Sequence, residues 1–469
     1  MANYTTFSKE ELIKEFNIVK GQYEKIKENG LKLDMSRGKP GPEQLDLCGG
    51  LLDLVGEKHG YIALKGTDCR NYGGLEGIDE LRSLFGEVLG INYENVICGG
   101  NSSLQMMFDT ICQAMITGFG DTPWSKQGKV KFLCPSPGYD RHFSICEHFG
   151  IEMITVNCNS EGPDMDTVES LVKDPLVKGM WCVPRYSNPQ GITYSDETVK
   201  RIAALKPAAK DFRIMWDNAY AIHSLYDEDD KLLNIYEECK KNNNEDLVIM
   251  FTSTSKISYP GAGIAVEAAS PRNMEIIKSR MRNQTIGPNK LNQLMHARMF
   301  DSYEKLLSHM ELHASVLRPK FEAVLNALNL ELKDTGVAEW NEPKGGYFIS
   351  LDVLEGCAKR VGELCKAAGL TITTPGATFP YGKDPKDSNL RIAPSYPSVK
   401  ELIDASKVLC VSVKYVNNAF IAGTIRLLLS TSCICSVVLI LLFDVSLKLF
   451  SFLSELFSVL FSELLSALS

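Results

Sequence analysis

Five short apolar runs, Lys131 to Cys134, Ile151 to Val156, Gly179 to Val183, Phe212 to Trp216 and Val248 to Phe251, alternate with helix-patterned stretches such as Asp196 to Leu205. Alternation of this kind predicts an α/β chain: a mostly parallel sheet with helices on both faces. In such sheets function collects at the carboxyl ends of the strands. Three successive strands here end in residues with chemistry. One leads into Ser187-Asn188-Pro189-Gln190-Gly191, the next into Asp217-Asn218-Ala219-Tyr220, and the third into Ser253-Thr254-Ser255-Lys256.

Each of these segments has a bland reading. Ser-x-Ser-Lys fits many surface turns, an aspartate after a strand can cap a helix, and Asn-Pro-Gln-Gly is a turn. Their convergence favours chemistry. A lysine is nucleophilic at neutral pH only where desolvation or nearby cations disfavour its ammonium, and a lysine delivered by a buried strand meets that condition. An asparagine, a carboxylate, a tyrosine and a lysine around one ligand are what pyridoxal phosphate chemistry needs. Lys256 would form the Schiff base, Asp217 would keep the pyridine nitrogen protonated, and Asn188 and Tyr220 would donate to the ring's phenolate oxygen.

Further motifs follow in order: Asn71-Tyr72-Gly73-Gly74-Leu75-Glu76-Gly77, Gly99-Gly100-Asn101-Ser102-Ser103-Leu104, Pro343-Lys344-Gly345-Gly346-Tyr347-Phe348 and Asn389-Leu390-Arg391-Ile392. With these the chain resembles the class I aminotransferases of fold type I, most closely the bacterial type Ic aspartate aminotransferases, from about Asp34 to about Val411. The resemblance implies pyridoxal 5'-phosphate as cofactor, Lys256 as catalytic lysine, and Arg391 as the clamp on the substrate's α-carboxylate, for which a guanidinium fork is suited. It also implies that Gly100, Asn101, Ser102 and Ser253 hold the phosphate. A turn opening a helix at Ser102 offers backbone N–H groups and the helix dipole for that purpose. Tyr72 matches a tyrosine that in this family reaches the phosphate of the neighbouring subunit, implying a homodimer. In Ser36-Arg37-Gly38-Lys39-Pro40, Gly38 is expected near the substrate, and Arg37 is a candidate for a side-chain carboxylate.

Two positions depart from the family pattern. Ile264 stands where an arginine usually neutralises the phosphate, eight residues after the lysine. The aromatic residue that stacks on the cofactor ring falls at Pro137 by strict alignment, with Tyr139 the expected substitute.

The expected organisation is an N-terminal segment (1–60) joining a smaller α+β domain (316–414), a large cofactor-binding domain (61–315), and an atypical tail (415–469). Ser8 and Glu11 form a capping-box pattern ahead of a helix ending near Gly30. A net charge of −8 gives no basic surface for nucleic acid. Fourteen cysteines without Cys-x-x-Cys pairs suit reduced thiols, and the N-terminus lacks a secretory apolar region, so the cytoplasm is expected. The tail differs: Leu427 to Phe443 is an uncharged run of 17 residues, readable as a membrane anchor, a packed helix pair or a non-native extension. The function so predicted is amino transfer between an amino acid, with aspartate first, and a 2-oxo acid, with 2-oxoglutarate first. A lyase or decarboxylase on the same fold stays open. A cofactor-sensing regulator would need a DNA-binding module, and about 33 residues ahead of Asp34 leave no room for one.

Overall fold

A computed structural model describes residues 3–120, 122–421 and 423. Its large sheet contains β1 (Val96–Cys98), β2 (Lys131–Ser136), β3 (Glu152–Asn159), β4 (Gly162–Pro163), β5 (Val177–Cys182), β6 (Arg213–Asp217), β7 (Val248–Ser253) and β8 (Ala265–Ala269). The spatial order is β1-β8-β7-β6-β5-β2-β3-β4. The five inner strands, β7 through β3, are mutually parallel, whereas β8, β1 and β4 pair antiparallel at the edges. The α/β fold with a mostly parallel sheet is as expected. The edge strands β1 and β8 were not foreseen.

Successive strand residues point to opposite faces, and the apolar runs sort accordingly. Met180, Cys182, Ile214, Trp216, Val248 and Met250 pack into one cluster with residues of helices Asp79–Leu89 and Asp196–Ala203. Trp181, Met215, Ile249 and Phe251 pack into another with helices Ser103–Ile116, Asp140–His148 and Pro271–Gln284. Burial on both faces explains why the inner strands are continuously apolar rather than alternating.

A second, antiparallel sheet is formed by β9 (Ala338–Trp340), β10 (Ile349–Val353) and β11 (Asn389–Ile392). It shares an apolar cluster with helices Lys9–Glu28, Ala358–Ala367 and Val399–Ile421. Ser8 and Glu11 cap the first of these reciprocally: the Ser8 amide donates to Glu11 Oε2 at 2.8 Å, and the Glu11 amide donates to Ser8 Oγ at 3.3 Å. Between the two sheets' strands run two further helices, Lys290–Met299 and Tyr303–Glu331, separated where Ser302 caps the second. That long helix buries Leu306 and Met310 in the large sheet's cluster and Leu317, Phe321 and Leu328 in the small one, so it ties the two together.

The last described helix continues through Ile421, with Val416, Asn417, Asn418 and Ala419 buried and Tyr415 packed on Phe16 and Tyr23. The helix thus runs on beyond residue 414, where the tail is expected to begin, and keeps its apolar face for two further turns. The apolar run Leu427 to Phe443 lies outside the described residues. No helix among the described residues is long and apolar enough to cross a membrane. The twelve cysteines described are all free.

Candidate active site

The carboxyl ends of β2, β5, β6 and β7 open into one cavity of about 600 Å³, roofed by residues of the small sheet and the N-terminal segment. Gly38, Ser102, Tyr139, Asn188, Asp217, Tyr220, Ser253, Lys256 and Arg391 all line it. Gly100 and Asn101 sit on the exposed turn just outside the lining, where the Gly100 carbonyl accepts from the Ala265 amide at 2.6 Å. Tyr72 is 83% exposed and does not line the cavity of its own chain. Lys290 holds the loop around it by donating to the carbonyls of Asn71 and Gly73, at 2.8 and 2.6 Å. Of the two candidates for a stacking residue, Tyr139 rather than Pro137 faces this cavity.

Lys256 sits in the turn after β7. Burial lowers its pKa, Asp217 opposes that shift, and its ammonium lies 4.8 Å from the Tyr220 ring centroid and 5.7 Å from that of Tyr347. Desolvation of this kind makes an amine available as a nucleophile. Tyr220 is buried, and its phenol is held well above the ordinary tyrosine value by burial and then by Tyr139 and Asp217, so it stays a hydrogen-bond donor. Tyr139 is likewise pushed up to about 12, chiefly by burial.

Asp217 is buried at the end of β6. Its Oδ2 lies 3.0 Å from His142 Nε2, and its Oδ1 is buried without a hydrogen-bond partner. His142, which the sequence reading missed, stacks on Trp181 with ring centroids 4.3 Å apart and planes 8° from parallel. An anionic oxygen buried without a donor is costly, and a cationic N–H arriving in the cavity would satisfy it. A pyridinium is such a group. Ser102 caps helix Ser103–Ile116 by position, yet its hydroxyl makes no capping bond and stays available. The Ser253 and Ser255 hydroxyls are 3.1 Å apart beside it. A lysine, a partnerless buried carboxylate, an aromatic face and a hydroxyl-lined helix start together fit pyridoxal phosphate. Ile264 is 1% exposed within the large apolar cluster, so this position holds no cation for a phosphate.

Arg391 on β11 is 8% exposed. Its Nη1 donates to Asp140 Oδ1 at 2.9 Å and to Asn188 Oδ1 at 3.2 Å, and its Nε donates to Thr373 Oγ1 at 3.2 Å. The bond to Asn188 Oδ1 leaves that amide's N–H groups as donors. Arg37 and Arg141 also line the cavity; both are exposed and make no ion pair among the described residues. Gly38 is a glycine for a steric reason: a Cβ there would collide with the Phe348 ring, which also lines the cavity.

Helix Asp140–His148 concentrates this machinery. Tyr139, Asp140, Arg141 and His142 place an aromatic ring, a carboxylate, a guanidinium and an imidazole around its first turn. Beneath Lys256 lies a buried polar layer that was also unforeseen. Gln44 Nε2 donates to Tyr347 Oη at 2.8 Å and lies 3.0 Å from His313 Nδ1. His309 and His313 Nε2 each approach the Ile257 carbonyl, at 2.8 and 3.0 Å. The amide's two donors make His313 Nδ1 an acceptor, so the ring is neutral with its proton on Nε2. His223, packed edge-on to Tyr220 and Tyr347, is held neutral by burial.

Known proteins resemble this chain over most of its length. The family model described as aspartate amino-transferase matches residues 7–424. An aspartate aminotransferase from Corynebacterium glutamicum is 49% identical over 386 residues, covering 82% of this chain and 89% of that protein. The crystal structure of an aspartate transaminase from the same species superposes with a TM-score of 0.88 at 45% identity, covering 90% of this chain and 99% of the other. At 20% identity the fold alone is shared with an α-aminoadipate aminotransferase from Thermus thermophilus, solved with N-(5'-phosphopyridoxyl)-L-leucine (TM-score 0.67, 82% and 92% covered).

Proposed function

The chain belongs to the aspartate amino-transferase family and is an aminotransferase, and from that premise we propose that it moves the amino group of aspartate to 2-oxoglutarate with pyridoxal 5'-phosphate as cofactor. The observation that carries this reading is the pair of Asp217 oxygens, one held by His142 and the other buried without a donor in the cavity that Lys256 and Arg391 line. Bound there, the cofactor supplies an aldehyde for the lysine and a protonated ring that accepts the electron pair released at the substrate's Cα.

In this reading each side chain has a separate task. Asp217 keeps a proton on the pyridine nitrogen, and His142 keeps Asp217 in place. Asn188 and Tyr220 donate to the phenolate oxygen, and Tyr139 covers the ring. Lys256 Nζ would carry the proton between the substrate's Cα and the cofactor's C4′ carbon. Arg391 binds the α-carboxylate, and Arg37 and Arg141 supply positive charge for a second carboxylate, which favours a dicarboxylic donor. The phosphate is held by the helix N-terminus, Ser102, Ser253 and a second subunit's Tyr72 in a homodimer. An exposed Tyr72, together with exposed Leu52, Leu64 and Ile286, suits such an interface. We place the enzyme in the cytoplasm on the same reading.

The test is a half-reaction. Enzyme loaded with pyridoxal phosphate and given aspartate without any oxo acid should yield one equivalent each of oxaloacetate and pyridoxamine phosphate, and Lys256→Ala should yield neither. Release of carbon dioxide or ammonia with the cofactor still in its aldehyde form would replace this reading with a lyase.

A further inference from the structure

Arg391 has five N–H donors, one on Nε and two on each Nη. Three are already engaged: Nε by Thr373, and both N–H groups of Nη1 by Asp140 and Asn188. Nη2 makes no hydrogen bond among the described residues. A carboxylate binding this fork bidentately uses either Nη1 with Nη2 or Nε with Nη2. No bidentate pose is therefore open while all three bonds persist. Of the three partners only Asp140 carries charge, and it is the one a second carboxylate would repel.

Asp140 is also placed to leave. It is the first residue of helix Asp140–His148, and its side chain is 32% exposed against 9% for Arg391. The helix dipole and solvent both favour its anion when it is detached from the guanidinium. The buried arginine, by contrast, would be costly if left without a counter-anion.

We propose that Asp140 is a built-in competitor for the substrate's α-carboxylate: it neutralises Arg391 in the ligand-free enzyme and must be displaced by each incoming amino acid or oxo acid. Asp140 thereby acts as a specificity residue. A ligand without a carboxylate cannot open the pair, and one with a carboxylate binds more weakly than the bare fork would allow. Asp140 belongs to the large-sheet unit and Arg391 to the small sheet, so the exchange also removes a bond across the cavity mouth. This inference rests on the assignment of Arg391 as the carboxylate clamp.

The experiment measures binding of succinate, which has carboxylates but no amino group to transfer, by calorimetry on both cofactor-free and cofactor-loaded protein. Asp140→Asn, which keeps the hydrogen bond but removes the charge, should tighten succinate binding about tenfold in both forms. With aspartate as substrate it should lower KM by a similar factor without raising kcat, the pattern of a ground-state competitor removed. Asp140→Ser provides a second variant should the first fold poorly. Unchanged or weaker succinate binding in these variants, with binding abolished in Arg391→Gln, would overturn the inference and leave the clamp standing. Binding of wild-type strength in Arg391→Gln would overturn the clamp assignment and this inference with it.

Discussion

Acid should loosen this protein through the histidine layer below Lys256. His313 is 1% exposed, and burial, reinforced by neighbouring His309 and opposed by the Ile257 carbonyl, depresses its pKa from 6.5 to about 4. The unfolded chain takes up this proton near pH 6.5, whereas the folded protein does so only near 4, so unfolding absorbs a proton between these values. The stability contributed by the neutral ring is complete above about pH 6.5 and is lost as pH falls. A shift of this size amounts to roughly 3 kcal/mol in full, of which about 2 kcal/mol is lost between pH 7 and pH 5. That is a large share of the 5 to 15 kcal/mol typical of a folded domain. His223, His296 and His309 are depressed in the same direction by burial and steepen the effect. The assay is urea unfolding of wild type and His313→Gln at half-unit steps from pH 8 to pH 5. The variant, which replaces the ring by a non-titrating donor and acceptor, should be less stable at pH 8 and should lose about 2 kcal/mol less on going from pH 7 to pH 5. Parallel pH profiles for the two proteins would show that His313 does not titrate as the buried neutral ring described here.

Two further outcomes are expected. Asp217→Ala should lower kcat by about a hundredfold or more, since an unprotonated ring is a poor electron sink, and a loss of only a few-fold would reduce Asp217 to a partner for His142. A chain ending at Val413 should be about 3 kcal/mol less stable than one ending at Gly423, because it loses buried Val416 and Ala419 and the Tyr415 contacts to Phe16 and Tyr23, and equal melting temperatures would refute this.

The inner strands could be read from the chain because each carries its own apolar run, and the residues just past them could be read because the topology of a parallel sheet sends those ends to one place. The edge strands escaped for the opposite reason. Val96–Cys98 is three residues long, and Ala265–Ala269 contains Glu267, whose charge is answered only in space by Thr110 and Arg280. The site divides similarly. Lys256, Asp217 and Asn188 lie within a few residues of strand ends. The bond between Asp140 and Arg391 joins positions 251 residues apart, and Gln44 meets His313 across 269, so no local pattern announces either. Signals for two missed groups were nonetheless present. Tyr139 to His142 crowds four chemically distinct side chains into one turn, and His309 and His313 stand at the i, i+4 spacing that puts two rings on one helix face.

That crowded first turn has a mechanical consequence. The ring that would cover the cofactor, the carboxylate on Arg391, one cavity arginine and the imidazole on Asp217 ride on a single short helix, so they cannot drift independently. An error in seating that helix arrives as a correlated fault in cofactor electronics and substrate grip alike. Its seat is Gly138, whose amide donates to the Thr378 carbonyl at 2.7 Å and where an added methyl would stand 2.5 Å from the Pro135 carbonyl oxygen and 3.0 Å from the Phe143 ring. A residue with no functional group of its own thus sets the alignment of four that have one, and variation at such hinge glycines can retune an enzyme without touching any group that meets the substrate.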